Sequence, residues 1–126
     1  MAEDSTNKRI VLVMGASTNP ERYSFKATNQ LLRNGFEVVA LGNKEGNILS
    51  VSIQKEMIPH KNVHTVTMYL GAKNQIPYYD YILSLNPKRV IFNPGSENSE
   101  FAEILKKNGV EVEEACTLVM LSMGVF

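Results

Sequence analysis

Gly15, Ala16 and Ser17 stand between an apolar run and a helical pattern, in the stretch VLVMGASTNPERYSFKATNQLLRNG from Val11 to Gly35. A strand that turns sharply into a helix presents backbone N–H groups and the positive end of a helix dipole, a combination that holds a phosphate or another anion. Gly15 allows the tight turn and brings backbone amides near a ligand, and Ser17 adds a hydroxyl donor. Ser24 is positioned to cap the helix or to donate to an oxygen, with Arg22 and Lys26 adding positive charge nearby. A dinucleotide fingerprint usually has three glycines in six positions, and this loop has Gly15 alone. The competing reading is a plain strand-to-helix turn with a capping serine.

The end of the second strand discriminates between phosphates. Proteins that hold the free ribose hydroxyls of NAD usually carry Asp or Glu there. This chain reads LGNKEG, so Gly42, Asn43 and Lys44 occupy the region and Glu45 follows. An amide and an ammonium suit a phosphorylated ribose, as in NADP or in coenzyme A with its 3′-phosphate. A solvated loop lysine accounts for Lys44 equally well.

The elements that must position these residues alternate between strand and helix. RIVLVMG (Arg9 to Gly15) is apolar without alternation, as in a parallel strand buried on both faces. A helix follows from Ser24 and closes at Gly35, and FEVVAL (Phe36 to Leu41) is the next strand. Residues 42–62 read as a loop with at most one brief strand. VHTVTMYL (Val63 to Leu70) is a strand, followed by a helix with Pro77 in its first turn that ends at Asn86-Pro87. KRVIFNPG is strand then turn, SEFAEILKKNG is a helix with acids early and lysines late, VEVEEA is a strand, and TLVMLSMG is a short closing helix. KRIVLVMG echoes KRVIFNPG, and RNGFEV echoes KNGVEV, as if two strand–helix–strand units were joined. The pattern predicts an α/β fold: a single Rossmann-like, doubly wound, mainly parallel sheet of about five strands flanked by helices. In such a sheet ligands sit beyond the carboxyl ends of the strands. That adds Asn93, Pro94 and Gly95, which follow the fourth strand, and Cys116, which follows the last, to the candidate ligand residues.

Composition bounds the function. The chain has 126 residues, 44% of them hydrophobic, enough for one compact domain over residues 9–126, with residues 1–8 expected as a flexible lead-in. Thirteen basic residues balance thirteen acidic ones, which argues against a nucleic-acid partner. No apolar run reaches the ~18 residues of a membrane span. One cysteine excludes an internal disulfide and a cysteine-rich metal site, so a soluble cytoplasmic protein without metal is expected. His60 and His64 lack partners at metal-ligand spacing, and no nucleophile–base motif is present, so no catalytic residue is assigned.

VMGASTNPERYSFKATNQLLRNGFEVVAL and FNPGSENSEFAEILKKNGVEVEEAC together resemble the small stand-alone CoA-binding proteins. These are related to the CoA-binding domains of succinyl-CoA synthetase α subunits and NDP-forming acyl-CoA synthetases. The resemblance rests on Gly15-Ala16-Ser17, Pro20, Arg22, Ser24, the closing NGFEV and Cys116, and spans most of residues 9–117. It departs at Gly42-Asn43, where the family often has Asn-Pro, and at Thr117, where a proline often follows the cysteine. The resemblance implies binding of CoA or a short acyl-CoA by a carrier, sensor or accessory module with no catalysis of its own. A homodimer or a further protein partner is compatible with it. Two alternatives stand beside this one. An NADP- or NAD-binding regulator or oxidoreductase-like domain is disfavoured by the single glycine and the missing acid. An interaction protein that binds no nucleotide would use Tyr78, Tyr79 and Tyr81 as an exposed cluster.

Overall fold

The computed structural model describes residues 9–126, so the expected lead-in over residues 1–8 lies outside the described residues. The chain forms β1 (Ile10–Met14), α1 (Tyr23–Arg33), β2 (Glu37–Leu41), β3 (Gly46–Ile48), β4 (Val51–Gln54) and β5 (Val63–Met68). Then come α2 (Ala72–Gln75), a 3-10 turn (Ile76–Tyr78), α3 (Tyr79–Leu85), β6 (Arg89–Phe92), α4 (Ser99–Lys107), β7 (Glu111–Glu114) and α5 (Thr117–Ser122).

The strands make one sheet in the order β3-β4-β2-β1-β5-β6-β7, parallel throughout except for the antiparallel β3–β4 pair. It has seven strands where about five were expected. The two extra strands lie in the segment read as loop, where β3 and β4 form a hairpin that turns at Leu49 (φ +53) and Ser50. The helix expected around Pro77 is broken instead: Pro77 sits in the 3-10 turn between α2 and α3. Its missing N–H is tolerated there. Ile76 is exposed, and Tyr81, Ile82 and Leu85 form the buried face of α3. Asn86 adopts a left-handed conformation (φ 51) and ends α3 before Pro87, as the sequence indicated.

Alternation along each strand splits the core into two layers. Leu12 and Met14 join Val66, Met68, Val90 and Phe92 beneath Ile82, Phe101 and Leu105. Val11 and Val13 join Ala40 and Ile53 on the opposite face, beneath Leu31 of α1 and the half-buried Leu121 of α5. The winding explains this division. The β1–β2 crossover moves outward from the sheet centre in one direction, and the β5–β6 and β6–β7 crossovers move in the other. Right-handed crossovers therefore place α1 on one face and α3 and α4 on the other. The strand order reverses between β1 and β5, so the loops after their carboxyl ends lie at the place where sheets of this kind hold ligands.

The internal echo extends to conformation. Gly15 and Gly95 turn at φ +90 and +94, and Gly35 and Gly109 at φ +83 and +79. Asn34 and Asn108, the C-caps of α1 and α4, each return their side-chain amide to the preceding turn, to Gln30 O at 2.7 Å and Ile104 O at 2.8 Å.

Candidate functional site

Gly15 turns the chain out of β1 in a conformation that strains any residue with a side chain. A Cβ there would also lie 3.2 Å from the Tyr69 carbonyl carbon and from Leu70, so the loops after β1 and β5 meet at this glycine. The amides of Gly15 and Ala16, expected to face a ligand, both donate to Leu41 O at 2.9 Å. They anchor the loop to β2. Beyond them, Ser17 Oγ accepts from Asn19 N and Asn19 Oδ1 accepts from Glu21 N, each at 3.0 Å, two nested turns that lead the chain to α1. Ser17 Oγ keeps its own proton available for donation.

Ser24 does not cap α1. It lies inside the helix, 3% exposed, and its carbonyl accepts from Thr28 Oγ1 at 2.8 Å. The N-cap is Arg22, in an extended conformation (φ −77, ψ 141), and makes no side-chain cap bond. The first backbone bond onto it comes from Lys26 N at 3.2 Å. The N–H groups of Tyr23, Ser24 and Phe25 therefore have no acceptor among the described residues. The first turn of α1 contains no acid. Arg22 is exposed, and the Lys26 ammonium sits 5.3 Å from the centre of the Tyr23 ring. The exposed Glu21 precedes the cap.

The corresponding loop after β6 is closed by its own side chains. Asn98 Oδ1 caps α4 by accepting from Phe101 N at 3.0 Å, Glu97 accepts from Gly95 N at 3.0 Å, and Glu100 occupies the first turn. Pro94 and Gly95 are exposed on this closed loop. Asn93 is buried and wholly engaged: Nδ2 donates to Thr67 Oγ1 at 2.7 Å and Met68 O at 2.9 Å, and Oδ1 accepts from Thr117 N at 2.8 Å. It ties the ends of β5 and β6 to the start of α5.

Gly42 is also buried, and a Cβ there would lie only 2.4 Å from Ala16 O. A Cβ on Gly46 would lie 2.6 Å from Thr18 Cγ2. The turn between these glycines thus runs alongside the loop after β1 and carries Asn43 and Lys44, both exposed.

On the β5–β6 side of the switch in strand order, the fully buried Gln75 donates to Leu70 O at 2.8 Å and Ser96 O at 2.7 Å, and its Oε1 accepts from Asn98 Nδ2 at 2.9 Å. Gln75 thereby fixes the loop after β5 against the loop after β6. Cys116 is half-buried and precedes α5 as its N-cap residue. Tyr69 has its hydroxyl buried without a hydrogen-bond partner of good geometry among the described residues, close to Thr67 and Thr117. Burial pushes this phenol up to about 12, with those two hydroxyls pulling it down and Cys116 pushing it up. Gln75, Asn98, Thr67, Tyr69 and Gly46 were not singled out from the sequence, because their partners lie far along the chain. Only Asn98, three residues before Phe101 at a helix start, carries a local capping signal.

The remaining candidates have structural partners. His60 Nε2 lies 3.2 Å from Gln54 Oε1, and His64 Nδ1 lies 2.8 Å from Thr65 Oγ1. Tyr81 is buried and donates to Ile58 O at 2.6 Å, and Tyr79 stacks on Phe101 at 4.1 Å, so the tyrosines do not form one exposed cluster. Among the described residues no helix is long and apolar enough to cross a membrane, and no group of three or more His, Cys, Asp or Glu is arranged to hold a metal ion.

Fold and topology together define a Rossmann-like domain with an uncapped helix N-terminus at the switch in strand order. The chain belongs to the CoA binding domain family, whose model matches residues 9–122. A crystal structure of an uncharacterized protein is 46% identical, covering 94% of this chain and 98% of that one, with a TM-score of 0.92. A hypothetical protein from Pyrococcus horikoshii shares the fold at 22% identity, over 97% of this chain and 87% of that one, with a TM-score of 0.83. The fold also recurs within the dinucleotide forming acetyl-coenzyme A synthetase 1 of Ca. Korarchaeum cryptofilum, solved with phosphate and ADP. There the identity is 16%, over 91% of this chain and 27% of that one, with a TM-score of 0.71. A search of curated proteins finds no match.

Proposed function

We propose that this chain binds coenzyme A or a short acyl-CoA, with the pyrophosphate on the N-terminus of α1, and that it serves as a carrier, sensor or accessory module in the cytoplasm without catalysis of its own. One observation carries this reading: α1 begins with three N–H groups free of acceptors among the described residues and no acid in its first turn, at the switch in strand order, whereas α4 is capped by Asn98 and its preceding loop is filled by Glu97. An anion completes the hydrogen bonding that α1 lacks. Ser17 Oγ is a further donor, Arg22 and Lys26 supply charge, and Asn43 and Lys44 would face the 3′-phosphorylated ribose. Membership of the CoA binding domain family and the shared fold of the acetyl-coenzyme A synthetase support the same ligand.

Thermal unfolding with CoA, acetyl-CoA, dephospho-CoA, NAD, NADP and ATP tests the reading, since a ligand that binds only the native state raises its stability by mass action. CoA or acetyl-CoA is expected to give the largest rise. A larger rise with NAD or NADP, and none with CoA, contradicts the assignment.

A further inference from the structure

The loop after β1 has one glycine where a dinucleotide loop has three, and two glycines of the neighbouring turn, Gly42 and Gly46, approach that loop closely. We infer that the turn between them is a clamp that sets where the anion-binding donors of the loop sit, and that Gly42 and Gly46 are positioning residues. This rests on the reading of that loop as the ligand site.

Both glycines are fixed to β4. Gly42 N donates to Gln54 O at 2.9 Å, and Gly46 pairs with Ile53 in the β3–β4 hairpin. Each presses on the loop at a different point. A methyl group at Gly42 would lie 2.4 Å from Ala16 O, and the carbonyl would have to retreat by about 1 Å to reach an ordinary contact. The obstacle is backbone, so no side-chain rotation relieves it. The peptide unit is planar, so Ala16 C=O and Ser17 N–H move as one body. Displacing the carbonyl tilts the Ser17 amide and its hydroxyl. A methyl group at Gly46 would lie 2.6 Å from Thr18 Cγ2, on a β-branched side chain with few rotamers to escape into. The turn from β2 into the β3–β4 hairpin, outside the usual phosphate-loop motif, thus holds the loop at two points.

The test combines Gly42→Ala, Gly46→Ala and Gly46→Ala/Thr18→Ser. Amide exchange of the ligand-free proteins reads the loop directly: both single variants should exchange faster at Ala16 and Asn19. Removing the methyl of Thr18 should restore slow exchange to the Gly46→Ala protein. Calorimetry with CoA on the folded proteins should show an affinity loss of about tenfold for Gly42→Ala, and a smaller one for Gly46→Ala that Thr18→Ser recovers. A purely structural role would lower the melting temperature and leave the affinity of the folded protein unchanged, and that result overturns the clamp. So does a Gly46→Ala effect of equal size with and without the Thr18 methyl. Should the wild-type protein bind no CoA, the functional reading falls, while the exchange data still decide for or against the clamp.

Discussion

Replacing Arg22 with aspartate should make the protein more stable and a worse binder at once. Arg22 already has the extended backbone of an N-cap and offers the helix no acceptor. An aspartate in that conformation can accept from the free N–H groups at positions 24 or 25, which is worth ~1 kcal/mol relative to a residue that cannot cap. Its charge at the positive end of the dipole adds ~0.3–1 kcal/mol. Together these correspond to a rise in melting temperature of about 4–8 °C for a domain of this size. The same carboxylate consumes the donors proposed for the pyrophosphate, repels it and removes a cation. Charge-assisted hydrogen bonds contribute ~1.5–3 kcal/mol each, so CoA affinity should fall at least about tenfold. Arg22→Asn, a neutral cap, should stabilise less and weaken binding less. Scanning calorimetry and titration calorimetry on the three proteins read both quantities. A stabilised Arg22→Asp protein with unchanged CoA affinity refutes the assignment of the ligand to this helix, and a destabilised one refutes the account of the cap.

Lys44→Ala should weaken CoA more than dephospho-CoA, by at most about fivefold because an exposed ion pair contributes only ~0–1 kcal/mol; equal losses would assign Lys44 to solvent. Asn93→Leu leaves Thr117 N without its acceptor and takes one of two partners from Thr67 Oγ1 and Met68 O, and should cost about 1–3 kcal/mol in urea unfolding, so a change under about 0.5 kcal/mol would contradict its role as a tie between β5, β6 and α5. Burial, then the charges of Arg9, Arg89 and Lys88, hold the His64 imidazole below its ordinary value of 6.5, against an opposing contribution from Glu111. The unfolded chain therefore binds the proton more tightly, and stability should fall as the pH drops below about 6.5. His64→Gln should flatten that part of the profile, and a slope unchanged from wild type would locate the acid sensitivity elsewhere.

The parallel strands were legible because burial on both faces leaves β1, β5 and β6 as continuous apolar or β-branched runs. The helix ends at Gly35, Asn86-Pro87 and Gly109 were legible because left-handed residues and proline punctuate the chain locally. The β3–β4 hairpin was not. Its strands have three and four residues, and its turn uses Leu49 at φ +53 in place of the glycine or asparagine that signals such a turn. The strand-to-helix turn after β1 is legible in the sequence, but two of its local hydrogen-bonding assignments are not. A serine at a helix start suggests a cap, but helix phase puts Ser24 inside the first turn and leaves the cap to Arg22. Gly15 and Ala16 suggested free amides, but Leu41 O, 25 residues on from Ala16, takes both. Asn93 and Gln75 act through partners brought together only by the sheet, which spacing along the chain does not reveal.

Amide chemical-shift mapping with CoA tests the central claim most directly, because the claim names which N–H groups the ligand meets. The account predicts the largest changes at Ser17, Tyr23, Ser24 and Phe25, with little change at Gly95 or Phe101, whose amides already have Glu97 and Asn98 as acceptors. Changes confined to the α4 side, or none at the start of α1 under saturating CoA, would contradict it.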